Sequence, residues 1–186
     1  MRITFLGANH EVTGSCHYIN AAGKNLIIDC GMEQGPDTYE NQKLPVNPSE
    51  LNYVFITHAH IDHSGLLPLL YRQGFRGKIF ATHPTVDLCD ILLRDSAHIQ
   101  EFEAEWRNRK AVRSNDKKFV PLFDMDDAKN VMRYFVGCNY DEKIKVTDGI
   151  EIRFSDVGHL LGSASIEIWM EENGADKKIV FSGDIG

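Results

Sequence analysis

The chain has 186 residues and a net charge of −7; 42% of its residues are hydrophobic and 25% charged. That is the size and composition of a single globular domain. No window approaches 18 apolar residues, which excludes a membrane-spanning helix. The acidic balance argues against a surface that coats nucleic acid generally, though not against a local basic cleft. The N-terminal apolar run, Ile3 to Leu6, is too short for a signal peptide, so a cytoplasmic protein is expected. Cys16, Cys30, Cys89 and Cys138 are widely spaced, with no Cys-x-x-Cys pair. Reduced, mostly buried thiols are expected, neither bridged nor bound to zinc.

In chain order, residues 2–6 read as a strand, and 7–15 as a polar loop bounded by glycines. Cys16 to Ile19 and Asn25 to Asp29 read as two strands joined through Ala22-Gly23-Lys24. Asp29 closes the second run, and a carboxylate there is costly unless it finds partners. Residues 31–52 form an irregular connection, with a short helical turn at 48–51. Tyr53-Val54-Phe55-Ile56 is a buried strand pattern leading to Thr57-His58-Ala59-His60-Ile61-Asp62-His63-Ser64-Gly65. An apolar helix is expected from about Ser64 to Arg72, with Pro68 tolerated early in it. Gly74 and Gly77 close it.

Of the eight histidines, three fall within the six residues 58–63. His58 and His60, two apart on extended backbone, point the same way. Imidazole and carboxylate are suited to zinc. One catalytic zinc cannot use all four side chains and keep an open position, whereas two ions can share them.

Downstream, Lys78 to Ala81 is a strand and 85–109 a long helix. Val86, Cys89, Leu92, Leu93, Ser96, Ile99 and Phe102 mark its expected buried stripe. His83 reads as structural. Arg107, Arg109, Lys110, Arg113, Lys117 and Lys118 form a basic patch around Trp106 and Phe119, but acids alternate with them and a solvated face is the better reading. Residues 111–122 read as a flexible excursion, and Asp124 to Phe135 as a helix capped by Asp124. From Lys143 the period becomes that of strands: 144–146 and 150–154 around Asp148-Gly149, then 166–170, then 177–181. The apolar run Ile179 to Phe181 is expected to be a central strand.

His58-x-His60-x-Asp62-His63 resembles the signature of the metallo-β-lactamase fold. The longer stretch from Thr57 to Pro68 resembles the RNA-processing β-CASP branch, to which the cleavage-and-polyadenylation endonuclease and the RNase J enzymes belong. Asp156 to Ala164, with His159, is similar to that family's third motif, and Ser182 to Gly186, with Asp184, to its fourth. The resemblance implies an α/β fold, an αββα sandwich in which two mixed sheets pack between helices. It implies two zinc ions: one held by His58, His60 and His159, the other by Asp62 and His63, with Asp184 bridging. Asp29 would support the metal-binding turn from behind, and the loop carrying His10 and Glu11 would border the site. The implied reaction is hydrolysis of RNA phosphodiester bonds, with Asp62 also accepting a proton.

Three other readings share the fold. One is a thioesterase- or lactamase-type hydrolase, since metal ligands do not choose the substrate. The long segment 84–142 and the Gly158-His159-x-x-Gly162 form favour the RNA branch. Another is an inactive scaffold subunit, which would be expected to have lost ligands. The third, a flavodiiron-type redox centre, needs a glutamate where His60 stands. The resemblance also places residues 1–186 as the N-terminal portion of the metallo-β-lactamase domain, with a cap domain and the return of the fold to follow. On that reading the isolated chain is inactive and forms a homodimer or aggregates through an uncovered sheet edge.

Overall fold

A computed structural model describes residues 1–35, 41–111, 118–172 and 174–186. The elements are β1 (Arg2–Phe5), β2 (His17–Ala21), β3 (Lys24–Ile28), β4 (Tyr53–Phe55), α1 (Ile61–Ser64), α2 (Leu67–Arg72), β5 (Lys78–Thr82) and α3 (His83–Ala111). They continue with α4 (Met125–Val131), β6 (Phe135–Cys138), β7 (Ile144–Thr147), β8 (Ile150–Asp156), β9 (Ala164–Glu172) and β10 (Ala175–Phe181).

Strands β1 to β6 form one sheet in sequence order, antiparallel from β1 to β3 and parallel from β3 to β6. The β2–β3 turn is the pair Ala22-Gly23, with φ of 49° and 69°. Two successive left-handed residues make the tight turn whose twist matches that of a hairpin. Strands β7 to β10 form a second, wholly antiparallel sheet in the order β10-β9-β8-β7. Two apolar layers result. Leu26, Ile28, Phe55 and Phe80 face Ile152, Phe154, Ile166 and Ile168 between the sheets. Ile27, Val54, Ile79 and Ala81, on the other face of the first sheet, pack with Leu67, Leu70, Cys89, Leu93 and Val131 of the helices. This is why the parallel strands read as unbroken apolar runs: both of their faces are buried. The second sheet alternates instead, with Ile150, Ile152 and Phe154 inward and Glu151 and Arg153 outward. Among the described residues the layers are therefore helices, six-stranded sheet, four-stranded sheet.

Several expectations are corrected. The helix expected from Ser64 starts three residues earlier and is split at Gly65-Leu66. Pro68 has no N–H for the Ser64 carbonyl, so the ladder is interrupted there. The helix expected to reach Phe135 ends at Val131; a 3-10 turn follows, and Phe135–Cys138 is the fourth parallel strand. A four-residue apolar run carries no period of its own, and its partner β5 lies more than fifty residues back. On α3, Ile99 and Phe102 are 49% and 61% exposed, while Ala97 and Ala104 are buried. The buried face is chosen by the packing of α4 and Phe123, not by side-chain size. Among the described residues the 179–181 run lies in β10, at one side of the second sheet, and that sheet is antiparallel, not mixed. Arg113 and Lys117 of the basic patch, and residues 112–117 of the 111–122 excursion, lie outside the described residues. All four cysteines are buried and unbridged. Burial pushes the thiols of Cys16 and Cys89 up to about 12 and that of Cys138 to about 11. No helix among the described residues is long and apolar enough to cross a membrane.

Candidate metal centre

The site lies at the ends of β3, β4, β8 and β10, where the strands release their chains into turns. After β4 the chain bends at Thr57 and runs to His60, whose φ of −54° and ψ of 146° place it as the cap of α1. The single turn of α1 then carries Asp62 and His63. That turn is held by the loop entering β2 and the segment leaving β3: Ser15 N donates to Asp62 O (2.8 Å), Cys30 N to His63 O (2.7 Å) and Met32 N to Ile61 O (2.9 Å). The approach is so close that a Cβ on Gly31 would lie 1.7 Å from the Asp62 carbonyl oxygen. Glycine is required there for space.

Asp29, 1% exposed, is the hub beneath this turn. Its φ of 57° turns the chain sharply at the strand end, a conformation aspartate tolerates better than most residues. Its carboxylate accepts from Thr57 N (2.8 Å), Thr57 Oγ1 (2.9 Å), Ser15 Oγ (3.3 Å) and His63 Nδ1 (2.8 Å). With Thr57 Oγ1 donating to Asp29, its lone pair faces His58 Nδ1 at 3.1 Å. So both imidazoles are held with Nδ1–H pointing inward and Nε2 free to face the site. Carboxylate and hydroxyl partners of this kind fix ligand tautomers in metal centres.

The Nε2 side is where the long-range elements arrive. His58 Nε2 is 3.0 Å from His60 Nδ1, and His159 Nε2 is 3.3 Å from the same atom. Asp184 follows β10, in a tail tied back by Gly186 N to Val157 O (3.1 Å). Its Oδ2 lies 3.9 Å from His58 Nε2 and 3.6 Å from His159 Nε2, while Oδ1 lies 3.4 Å from His63 Nε2. His63 Nε2 is also 3.9 Å from Asp62 Oδ2. The donor atoms of His58, His60, His159 and Asp184 all lie within 4.8 Å of one another. Three imidazole nitrogens and a carboxylate converge in a donor set that fits a borderline divalent metal.

The electrostatics agree. Burial, with the neighbouring His63, pushes His58 down to about 4 and keeps it in the neutral, ligating form. Burial would lower His63 as well, but the hydrogen bond and charge of Asp29, together with Asp62 and Asp184, raise it. A cation in place of that proton would face Asp62 and Asp184 on the Nε2 side, with Asp29 holding the opposite ring nitrogen.

The structure brings together six of the residues named from sequence, His58, His60, Asp62, His63, His159 and Asp184, with Asp29 behind them. His83 stands apart, its ring packed over Gly137. His10 is exposed and left-handed (φ 66°), outside the donor group. Its neighbours Ala8 and Val12 line a cavity of about 360 Å³ with Asp29, His63 and Asp184. Sequence reading gave no separate role to Thr57 or Ser15. A buried aspartate at a strand end asks for donors, but only the register of the fold says which.

A model of the metallo-beta-lactamase superfamily matches residues 11–78, the stretch that contains Asp29 and the histidine turn. Ribonuclease TTHA0252 of Thermus thermophilus is 34% identical over the whole of this chain. The chain belongs to the metallo-β-lactamase superfamily. It spans 38% of the length of that ribonuclease. It is also 32% identical to Integrator complex subunit 11 of Danio rerio, covering 99% of this chain and 29% of the relative. Transcription termination factor FttA of Methanosarcina mazei is 29% identical, with 99% of this chain and 27% of the relative covered. Among solved structures, the subclass B3 metallo-beta-lactamase BJP-1 of Bradyrhizobium japonicum superposes with a TM-score of 0.54 at 13% identity, over 98% of this chain and 59% of that one. At that identity the likeness is one of fold: the superfamily's α/β architecture, with sheets packed face to face and helices outside.

Proposed function

We propose that this chain is the metal-binding part of a β-CASP-type RNA-processing nuclease that hydrolyses phosphodiester bonds with two zinc ions. In this reading His58, His60 and His159 hold one ion, Asp62 and His63 the other, and Asp184 lies between them. The observation that carries it is the split of Asp184: one oxygen turned to His58 and His159, the other to His63. Zinc at such a pair of sites would acidify water and polarise phosphoryl oxygens.

The protein's own residues supply the rest. Asp29 and Thr57 hold the Nδ1 atoms of His63 and His58, so both Nε2 lone pairs are presented without reorganisation. Asp62, with a side chain 20% exposed beside His63, would take a proton from the attacking water. Asp184, 43% exposed, marks the open side from which a phosphate would enter. RNA as the substrate class rests on the relatives, one of which is named a ribonuclease.

A panel of RNA, bis-nitrophenyl phosphate and S-lactoylglutathione, each with zinc and with chelator, tests this. Zinc-dependent RNA cleavage is expected from the full-length protein. Preference for the thioester would move the chain to the thioesterase-type hydrolases. Absence of bound metal would make it a scaffold subunit.

A further inference from the structure

Three hydroxyl groups outside the metal centre converge on the loop that delivers His159. On the reading above that His159 is a metal ligand, we propose that Thr82, Thr85 and Tyr140 are positioning residues that hold it at the first metal site. Thr82 is the last residue of β5, Thr85 lies in the first turn of α3, and Tyr140 lies between β6 and β7. Thr82 Oγ1 and Thr85 Oγ1 both donate to the Gly162 carbonyl, at 2.6 and 2.9 Å, and lie 3.0 Å from each other. Tyr140 Oη donates to the next carbonyl, that of Ser163, at 3.1 Å. Two consecutive carbonyls, three and four residues beyond His159, are thus gripped by three hydroxyls from two stretches of chain, 82–85 and the β6–β7 connection.

The rest of the loop depends on that grip. Ser163 Oγ accepts from Leu160 N (3.0 Å) and Ser163 N donates to Leu160 O (2.8 Å), so the turn after His159 is built on Ser163. Ala164 N donates to Thr57 O (2.9 Å), anchoring the far end beside the histidine turn. Gly162 has φ 91°, and a Cβ there would lie 2.6 Å from both Thr85 N and Thr85 Oγ1. The loop is otherwise open, with Leu161 70% exposed. Among the described residues, nothing buried beneath His159 itself plays the part that Asp29 plays for His63. The hydroxyls therefore keep the imidazole where its Nε2 lies 3.3 Å from His60 Nδ1. Without them the loop's freedom must be given up when metal binds, and affinity falls accordingly. None of the three hydroxyl bonds involves Asp29 or His63.

The test is competitive titration of the full protein with zinc alone against a colorimetric chelator. The variants are Thr82→Val/Thr85→Val, Tyr140→Phe, Thr82→Ser/Thr85→Ser and His159→Ala. The valine pair should bind the first zinc about 10- to 100-fold more weakly, as removal of the partners around a metal ligand generally does. Tyr140→Phe should weaken it in the same direction and less, and the serine pair should restore it. The Nδ1–H proton resonance of His63 against Asp29 should stay in place in every variant, which a general loosening of the fold would not allow. Wild-type affinity in both the valine pair and Tyr140→Phe overturns the proposal. If the valine pair does not fold, Tyr140→Phe decides alone. If His159→Ala binds zinc like the wild type, the assignment of His159 as a ligand fails, and its positioning by these hydroxyls falls with it.

Discussion

The two halves of the metal centre are made by opposite means. His58 and His63 are 0% and 4% exposed, come from one short stretch of chain, and are fixed from below by one carboxylate. His159 and Asp184 have side chains 27% and 43% exposed, and come from loops about 100 and 120 residues further on. The first half is rigid by burial, at the cost of placing a charge in the core. The second is cheap to expose and must be held by hydrogen bonds reaching across the fold. The comparison teaches that substitutions in the first half act on folding and metal together, whereas those in the second act on metal alone.

The largest effect should come from Asp29→Ala. It leaves His63 Nδ1, Thr57 N and Thr57 Oγ1 buried without an acceptor. Removing one partner of a buried charged network costs about 3–5 kcal/mol. Urea denaturation should show that decrease, and elemental analysis should show metal missing from both sites. Asp184→Ala breaks the comparison if it does the same. Its expected stability change is within about 0.5 kcal/mol, as for exposed positions generally, with a clear drop in bound zinc. His58→Ala should abolish stoichiometric zinc binding.

Gly31→Ala tests the same half by crowding it. The new Cβ would meet the Asp62 carbonyl oxygen at 1.7 Å, and backbone cannot step aside as a side chain can. A destabilisation of about 1–3 kcal/mol is expected, with zinc weakened because α1 carries Asp62 and His63. Wild-type zinc affinity in a destabilised Gly31→Ala protein would show that the turn's position does not govern the ligands.

Protons should divide the centre further. The lowered value of His58 means that its contribution to the metal-free fold is present above pH 6.5 and lost as pH falls towards about 4. His63 is raised, so its contribution is present below the ordinary histidine value and lost as pH rises through the raised one. Its proton would sit on Nε2, because Nδ1–H already faces Asp29. Zinc must displace that proton at a higher pH than it meets competition at His58. Stepwise zinc titration at pH 8 and pH 6 should therefore show the His63 side weakening more on acidification. Equal weakening of both equivalents would remove the distinction.

What the sequence revealed follows the same division. The histidine turn was legible because its ligands lie within six residues and its spacing obeys local geometry. His159 and Asp184 were legible only through resemblance to the family's motifs, since nothing local marks them as ligands. Asp29 stood out as a carboxylate ending an apolar run, but its partners Ser15 and Thr57 did not, being chosen by sheet register. The hydroxyls of Thr82 and Thr85 reach Gly162 across about 80 residues, and no pattern in the chain announces that. Strand β6 went unread because four apolar residues after a helix carry no period, and the partner that makes them a strand is remote. The stripe on α3 was misjudged at Ile99 and Phe102 because periodicity gives a face, while the neighbours decide which face is covered.

The smallest effect should come from the far end of α3. Arg107 and Arg109 are paired with Glu103 and Glu105 at 3.6 and 3.1 Å, one turn apart on the exposed helix. Arg107 also lies over the Phe119 ring at 4.5 Å and Lys110 over Trp106 at 3.4 Å. Arg107, Arg109 and Lys110 thus each have a local acid or ring, and the acids offset part of the charge that binding to nucleic acid would need. Exposed pairs at this spacing contribute about 0.3–0.5 kcal/mol, so Arg109→Ala should shift the unfolding free energy by no more than that, less still at high salt. Zinc affinity should not change. RNA affinity, measured by fluorescence anisotropy at several salt concentrations, should keep both its magnitude and its salt slope. If Arg109 instead neutralises a phosphate of the bound RNA, its removal would lower the slope by about 1. That outcome would make the basic patch part of the substrate path and extend the open half of the centre along the helix.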